Sequence, residues 1–83
     1  MRPQSEIEND VKIALSVIPE IEGITHIYCH YLNQELTVQV NILLDVDMRI
    51  RDAQKIASAA RMKIEQIKDI DAADLHLELD DAF

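Results

Sequence analysis

One glycine in 83 residues, Gly23, rules out a glycine-rich phosphate loop. Such loops need several positions where bare backbone N–H groups can close on an anion. One cysteine, Cys29, rules out an intrachain disulfide and any CxxC motif, and it fits a reducing compartment. No apolar run reaches the roughly 18–20 residues that span a bilayer, and MRPQSEIEND lacks the shape of a signal peptide. A soluble, cytoplasmic chain with no direct membrane insertion is therefore expected. Basic residues are scarce, 8 against 16 acidic, for a formal net charge of −8. Self-repulsion with phosphates argues against nucleic acid as a partner, and no basic cluster offsets the average. Ser16 and Ser58 lie inside helical patterns with no base beside them, so no nucleophilic constellation is present. The expectation is a protein that is not an enzyme.

What is present is ordinary globular material, 48% hydrophobic and 29% charged, with no repeat or low-complexity tract. The length allows one domain, 1–83, with 1–4 and 81–83 expected as loose ends. A domain of this size buries ~60–65% of its unfolded surface, so a partner subunit or a bound metal would add much to its stability.

Ser5-Glu6-Ile7-Glu8 matches a capping box. Ile7, Val11, Leu15 and Ile18 follow at helical spacing, with Ala14 beside them, and Pro19 is the expected stop. From Ile24 to Leu32 the residues alternate. Ile27, Cys29 and Tyr31 point to one side, and His26, Tyr28 and His30 to the other. Cys29 thus reads as a core residue, not a ligand. Asn33-Gln34 is the expected turn. Leu36, Val38, Val40, Ile42 and Leu44 then make an unbroken apolar face opposite Thr37, Gln39, Asn41 and Leu43, so the two strands should pair as a hairpin.

Asp45 to Met48 lead into a second helix with a stripe of Ile50, Ala53, Ala57, Ala60, Ile64 and Ile67. Asp45 and Asp47 read as a solvated loop before that helix. A last strand alternates Ala73, Leu75, Leu77 and Leu79 with Asp74, His76, Glu78 and Asp80. Strand–helix–strand units of this length form right-handed crossovers with parallel strands. The expected fold is therefore α+β, order αββαβ, with a three-stranded mixed sheet and both helices on one face. His26, Tyr28, His30, Gln39, Asn41, Leu43, His76 and Glu78 would line the other face, which something should cover.

The segments VIPEIEGITHI, LTVQVNILLDVD, RIRDAQKIA and LHLELD, in this order, resemble the cytoplasmic C-terminal domain of cation diffusion facilitator (cation efflux) transporters. The resemblance runs from about Ile7 to Asp80. It implies a ferredoxin-like two-layer sandwich that forms a homodimer beneath a transmembrane transporter. It also implies zinc or another divalent cation bound at and near the dimer interface, where binding draws the two copies together. Family ligands are His and carboxylate residues at four places. The first-strand His falls at Thr25, or at His26 with a one-residue slip, and the second-strand His falls at Asn41. The helix-opening His, supplied across the dimer, falls at Gln54, and the final-strand His and acid fall at His76 and Glu78. The implied metal residues are thus His76 and Glu78, with His26 as a third. Asn and Gln are poor zinc ligands beside imidazole, and His76–Glu78 alone is a two-point start.

Three functions follow for test. One is a dimerising regulatory domain that senses a divalent metal. Another is a constitutive dimer module with a degenerate site, in which the His26–Tyr28–His30 stripe is only an aromatic contact. The third is a ferredoxin-like regulatory domain binding a small molecule, a type that usually places glycine in a ligand-facing turn.

Overall fold

The computed structural model describes residues 2–80. In chain order the elements are α1 (Gln4–Leu15), β1 (Gly23–Leu32), β2 (Glu35–Asp45), α2 (Ile50–Glu65) and β3 (Ala72–Asp80). β2 is the centre of a three-stranded sheet, antiparallel to β1 and parallel to β3. The architecture is the α+β, ferredoxin-like αββαβ arrangement with a mixed sheet that the pattern of periods implies.

β2 holds the centre because every second residue is apolar. Leu36, Val38, Val40, Ile42 and Leu44 are each at most 1% exposed. Ile7, Val11 and Leu15 of α1 and Ala53, Ile56, Ala60 and Ile64 of α2 pack over them. Ala60, fully buried, has no side chain to hold the α2 backbone away from the strands. Asn33 and Gln34 have φ of 52° and 68° between the paired Leu32 and Glu35. Two successive left-handed residues make the primed turn whose twist matches a hairpin.

Several local expectations change. α1 opens at Gln4 with Pro3 as its N-cap and no side-chain capping bond, so the Ser5–Glu8 capping box does not form. The Pro3 carbonyl already accepts the Glu6 and Ile7 N–H groups at 3.1 and 3.2 Å. The helix also ends at Leu15, well before Pro19. The Ser16 hydroxyl donates to the Ile13 carbonyl at 2.6 Å, and the Ser16 N–H bonds to Lys12 and Ile13. That closes the last turn locally, and Ile18 reaches the core from the segment that follows. Residues 81–83 and Met1 lie outside the described residues. Of the other terminal residues, Gln4 opens α1. Arg2 is held by Glu6, by Asp10 and, at 3.3 Å, by the Lys68 carbonyl.

The apolar stripe of α2 also shifts. Ile50 is 77% exposed, and Ile56 takes a core place instead. A period of 3.6 residues puts the two on opposite flanks of the line through Ala53, Ala60 and Ile64. Only the Ile56 flank is covered. Leu77 and Leu79 pair with Ile42 and Leu44 and so face the helix layer, yet they are 39% and 55% exposed. β3 is an edge strand, and among the described residues no further strand lies beyond it. With Val46 and Ile50 these leucines leave an apolar rim at the end of the sheet where β2 and β3 finish.

One carboxylate secures the opposite end. The Leu36 N–H donates to Asp71 Oδ2 at 2.7 Å, and the Asp71 N–H donates to the Leu36 carbonyl at 2.9 Å. The start of β3 is thereby pinned to the start of β2. Asp71→Ala should lower stability by about 1–3 kcal/mol, the cost of stranding a part-buried N–H. Asp71→Asn, which keeps an acceptor oxygen, should lose less. Urea titration of the three proteins checks the order.

Candidate functional site

Register decides which polar side chains meet on the face the helices leave uncovered. Partnered residues share a face, so Ile27 with Val40 and Cys29 with Val38 look inward, and Tyr28 with Gln39 looks outward. The same rule across the parallel pair puts Asn41 beside His76 and Leu43 beside Glu78. One row therefore runs across all three strands: His26, Asn41, His76. With strands about 4.8 Å apart, its two histidines stand roughly 10 Å apart at the backbone. Both are exposed, while Asn41 and Glu78 are half-buried.

The start of β1, where the resemblance leaves Thr25 and His26 as alternatives, carries an irregularity of pairing. Ile24 pairs with Ile42 and His26 with Asn41, which leaves Thr25 as the extra residue of a β-bulge. A bulge lets two consecutive side chains share a face. Thr25 and His26 thus both belong to the open side. The Thr25 hydroxyl lies 3.4 Å from the Asn41 carbonyl and donates to the Glu78 carboxylate. Glu78 thereby reaches over β2 to the opposite edge strand. Sequence reasoning missed this bond. The signal for it was the succession of two polar residues, Thr25 and His26, inside an alternating strand.

The remaining polar groups are also engaged. The His26 ring stacks on Tyr28, with centroids 5.7 Å apart and planes 7° from parallel. Gln39 Nε2 donates to Asn41 Oδ1 at 3.4 Å, so the amide in the middle of the row is held within its own strand. His30 is on the same face, in the row of Thr37. Asp45 Oδ1 accepts the Asp47 N–H at 2.8 Å, a local turn that puts the Asp45 carboxylate to structural use. Gln54 lies exposed on α2, in the layer away from this face. Cys29 is turned to the helix side beside Ile7 and Tyr31. Burial pushes its thiol up, and Glu8 adds to the shift, so it is a reluctant thiolate and a poor ligand.

The fold brings His26, His76 and Glu78 to one face, but one chain does not close a metal site. Among the described residues no group of three or more His, Cys, Asp or Glu side chains could hold an ion. The middle of the row is an amide, and Glu78 already accepts the Thr25 hydroxyl.

A two-layer αββαβ domain with a histidine-bearing open sheet face defines a class, and the comparisons name its family. The family model described as "Cation efflux protein, cytoplasmic domain" matches residues 3–80, and the chain belongs to that family. Among solved structures, a histidine-to-alanine variant of the MamM CTD superposes with a TM-score of 0.83 at 19% identity, covering 93% of this chain and 98% of that one. The copper form of MamM CTD gives 0.83 at 19%, covering 92% and 85%. A nickel form of a glutamate-to-histidine variant gives 0.82 at 18%, covering 92% and 98%. At such identities the likeness establishes the fold. Comparison with curated proteins gives no match. No described helix is long and apolar enough to cross a membrane.

Proposed function

We propose that the chain is the cytoplasmic dimerising and regulatory domain of a cation efflux transporter. In this reading it senses a divalent cation, zinc or a relative of it, through His76 and Glu78 with help from His26. The observation that carries the reading is the His26–Asn41–His76 row, which sets two imidazoles and the Glu78 carboxylate on the one sheet face without a helix. Each copy offers an open-sided set, and a second copy supplies the missing donors. The apolar rim of Val46, Ile50, Leu77 and Leu79 is what a second copy would cover. The metal-bound forms of MamM CTD support cation binding as a property to test in this chain.

Asn41, Gln54 and the Thr25–Glu78 bond favour a second reading, a constitutive dimer whose metal site has lapsed. Titration calorimetry of zinc into chelator-treated protein, with sedimentation of the same samples, separates the two. Saturable binding that His76→Ala and Glu78→Ala each weaken at least tenfold supports the sensor. A dimer indifferent to chelator and zinc supports the constitutive module. A monomer at high concentration, with or without zinc, overturns both.

A further inference from the structure

The charge of this acidic chain is divided between its two layers. The segment from Arg49 to Gln66, which is α2 with its two caps, holds five of the eight basic residues and two of the sixteen acidic ones. Residues 2–16, around α1, carry two basic and three acidic residues. Everything else, the strands and their loops, carries one basic and eleven acidic residues. The helix layer is therefore slightly positive and the sheet side strongly negative. The expectation that no basic cluster offsets the acidic average fails on α2.

Among the described residues no ion pair neutralises that helix. Among the described residues the ion pairs are those of Arg2 with Glu6 and Asp10, so the five cations of α2 (Arg49, Arg51, Lys55, Arg61 and Lys63) are unpaired. All five are exposed. By helical geometry Arg51, Lys55, Ser58 and Met62 fall on the crest opposite Ala53, Ala60 and Ile64. They border a shallow depression of about 540 Å³ whose floor includes Ala59. The site thus has two cations and a hydroxyl beside a notch left by small side chains. Met62, 62% exposed, stands at its edge as a flexible apolar group.

We propose that the outer face of α2 docks on anionic lipid headgroups. Arg51 and Lys55 meet the phosphates, Ser58 donates to a phosphate oxygen, and Met62 enters the interfacial region. From Arg51 to Met62 the crest is about 17 Å long, an extended convex surface that suits a plane of headgroups. The chain's family is the cytoplasmic part of an efflux protein, which puts a bilayer within reach. The net charge of −8 does not forbid the contact. The acidic sheet side orients the domain with α2 toward the surface, while Asp45, Asp47, Asp69 and Asp71, next to the two ends of α2, weaken the attraction without removing it. A nucleic acid offers similar phosphates but wraps a larger surface, and so brings its charge against the acidic loops as well. The depression also borders Gln54, where the resemblance puts a ligand across the dimer, but His26, His76 and Glu78 lie on the sheet and take no part in the contact.

The test is co-sedimentation of the 83-residue protein with vesicles of phosphatidylcholine alone, and with vesicles of equal parts phosphatidylcholine and phosphatidylglycerol. Binding is expected only to the anionic vesicles, falling steeply with added salt. Lys55→Gln should weaken it roughly fivefold, and Arg51→Gln with Lys55→Gln about 25-fold, since each basic residue near the surface contributes about that factor. Lys68→Gln, the same change of charge off the helix, should leave it unaltered. Circular dichroism keeps folding separate from binding. No binding to anionic vesicles at low salt overturns the proposal, as does an equal loss from Lys68→Gln. Binding of a polyglutamate peptide or an oligonucleotide at the Arg51 and Lys55 resonances, with no vesicle binding, also overturns it and assigns the face to a macromolecule of that kind.

Discussion

Asn41→His is expected to raise zinc affinity by roughly tenfold or more, about 1.4 kcal/mol. The reason is positional. Asn41 stands between His26 and His76 in one row across the sheet. An imidazole there lies one strand spacing, about 4.8 Å, from each of the two existing ones. Three neutral imidazoles converging above a sheet are a sufficient zinc set with one position left open. The wild-type amide cannot serve, because its oxygen is a weaker donor and already accepts from Gln39. Calorimetry on both proteins gives the ratio. An unchanged affinity would mean that the row is not where the cation sits, whatever Glu78 does. A gain that His76→Ala cancels would tie the effect to this row.

Ile42→Ala should be the most damaging single truncation of the core. Ile42 is fully buried on the central strand, paired on both sides with Ile24 and Leu77. Deleting its three outer carbons costs about 2–5 kcal/mol, the spread reflecting how far the cavity collapses. At roughly 0.05–0.15 kcal/mol per residue, the whole domain holds only about 4–12 kcal/mol. The variant therefore loses a large part of its stability; chemical denaturation at fixed protein concentration gives the comparison, because association adds to the apparent value. Leu79→Ala is the informative control. It changes the same helix-side face two rungs away in register, at a residue already 55% exposed. Its cost to the isolated fold should be well under that of Ile42→Ala. A marked loss of dimer from Leu79→Ala with little loss of fold would place the rim in the interface. Equal costs for the two variants would contradict the burial on which the comparison rests.

The sequence alone determined the order of elements, the hairpin at Asn33-Gln34 and the inward side of every strand. Those are local matters. A period of two sorts a strand's side chains, a period near 3.6 sorts a helix's, and a residue that tolerates positive φ marks a turn. It also pointed to His76 and Glu78, through a resemblance that the family match bears out for the domain as a whole. Only the tertiary structure decided what covers each sorted face. Ile50, Leu77 and Leu79 have the right spacing to be core residues and are left at a rim, because period reports direction and not the presence of a neighbour. The helix ends moved for a similar reason, since Pro3 and Ser16 supplied bonds that compete with the capping box and with the stop at Pro19. The bulge at Thr25 is likewise a property of pairing. One strand must carry an extra residue against another before Thr25 and His26 can share a face, and before a hydroxyl on β1 can hold a carboxylate on β3.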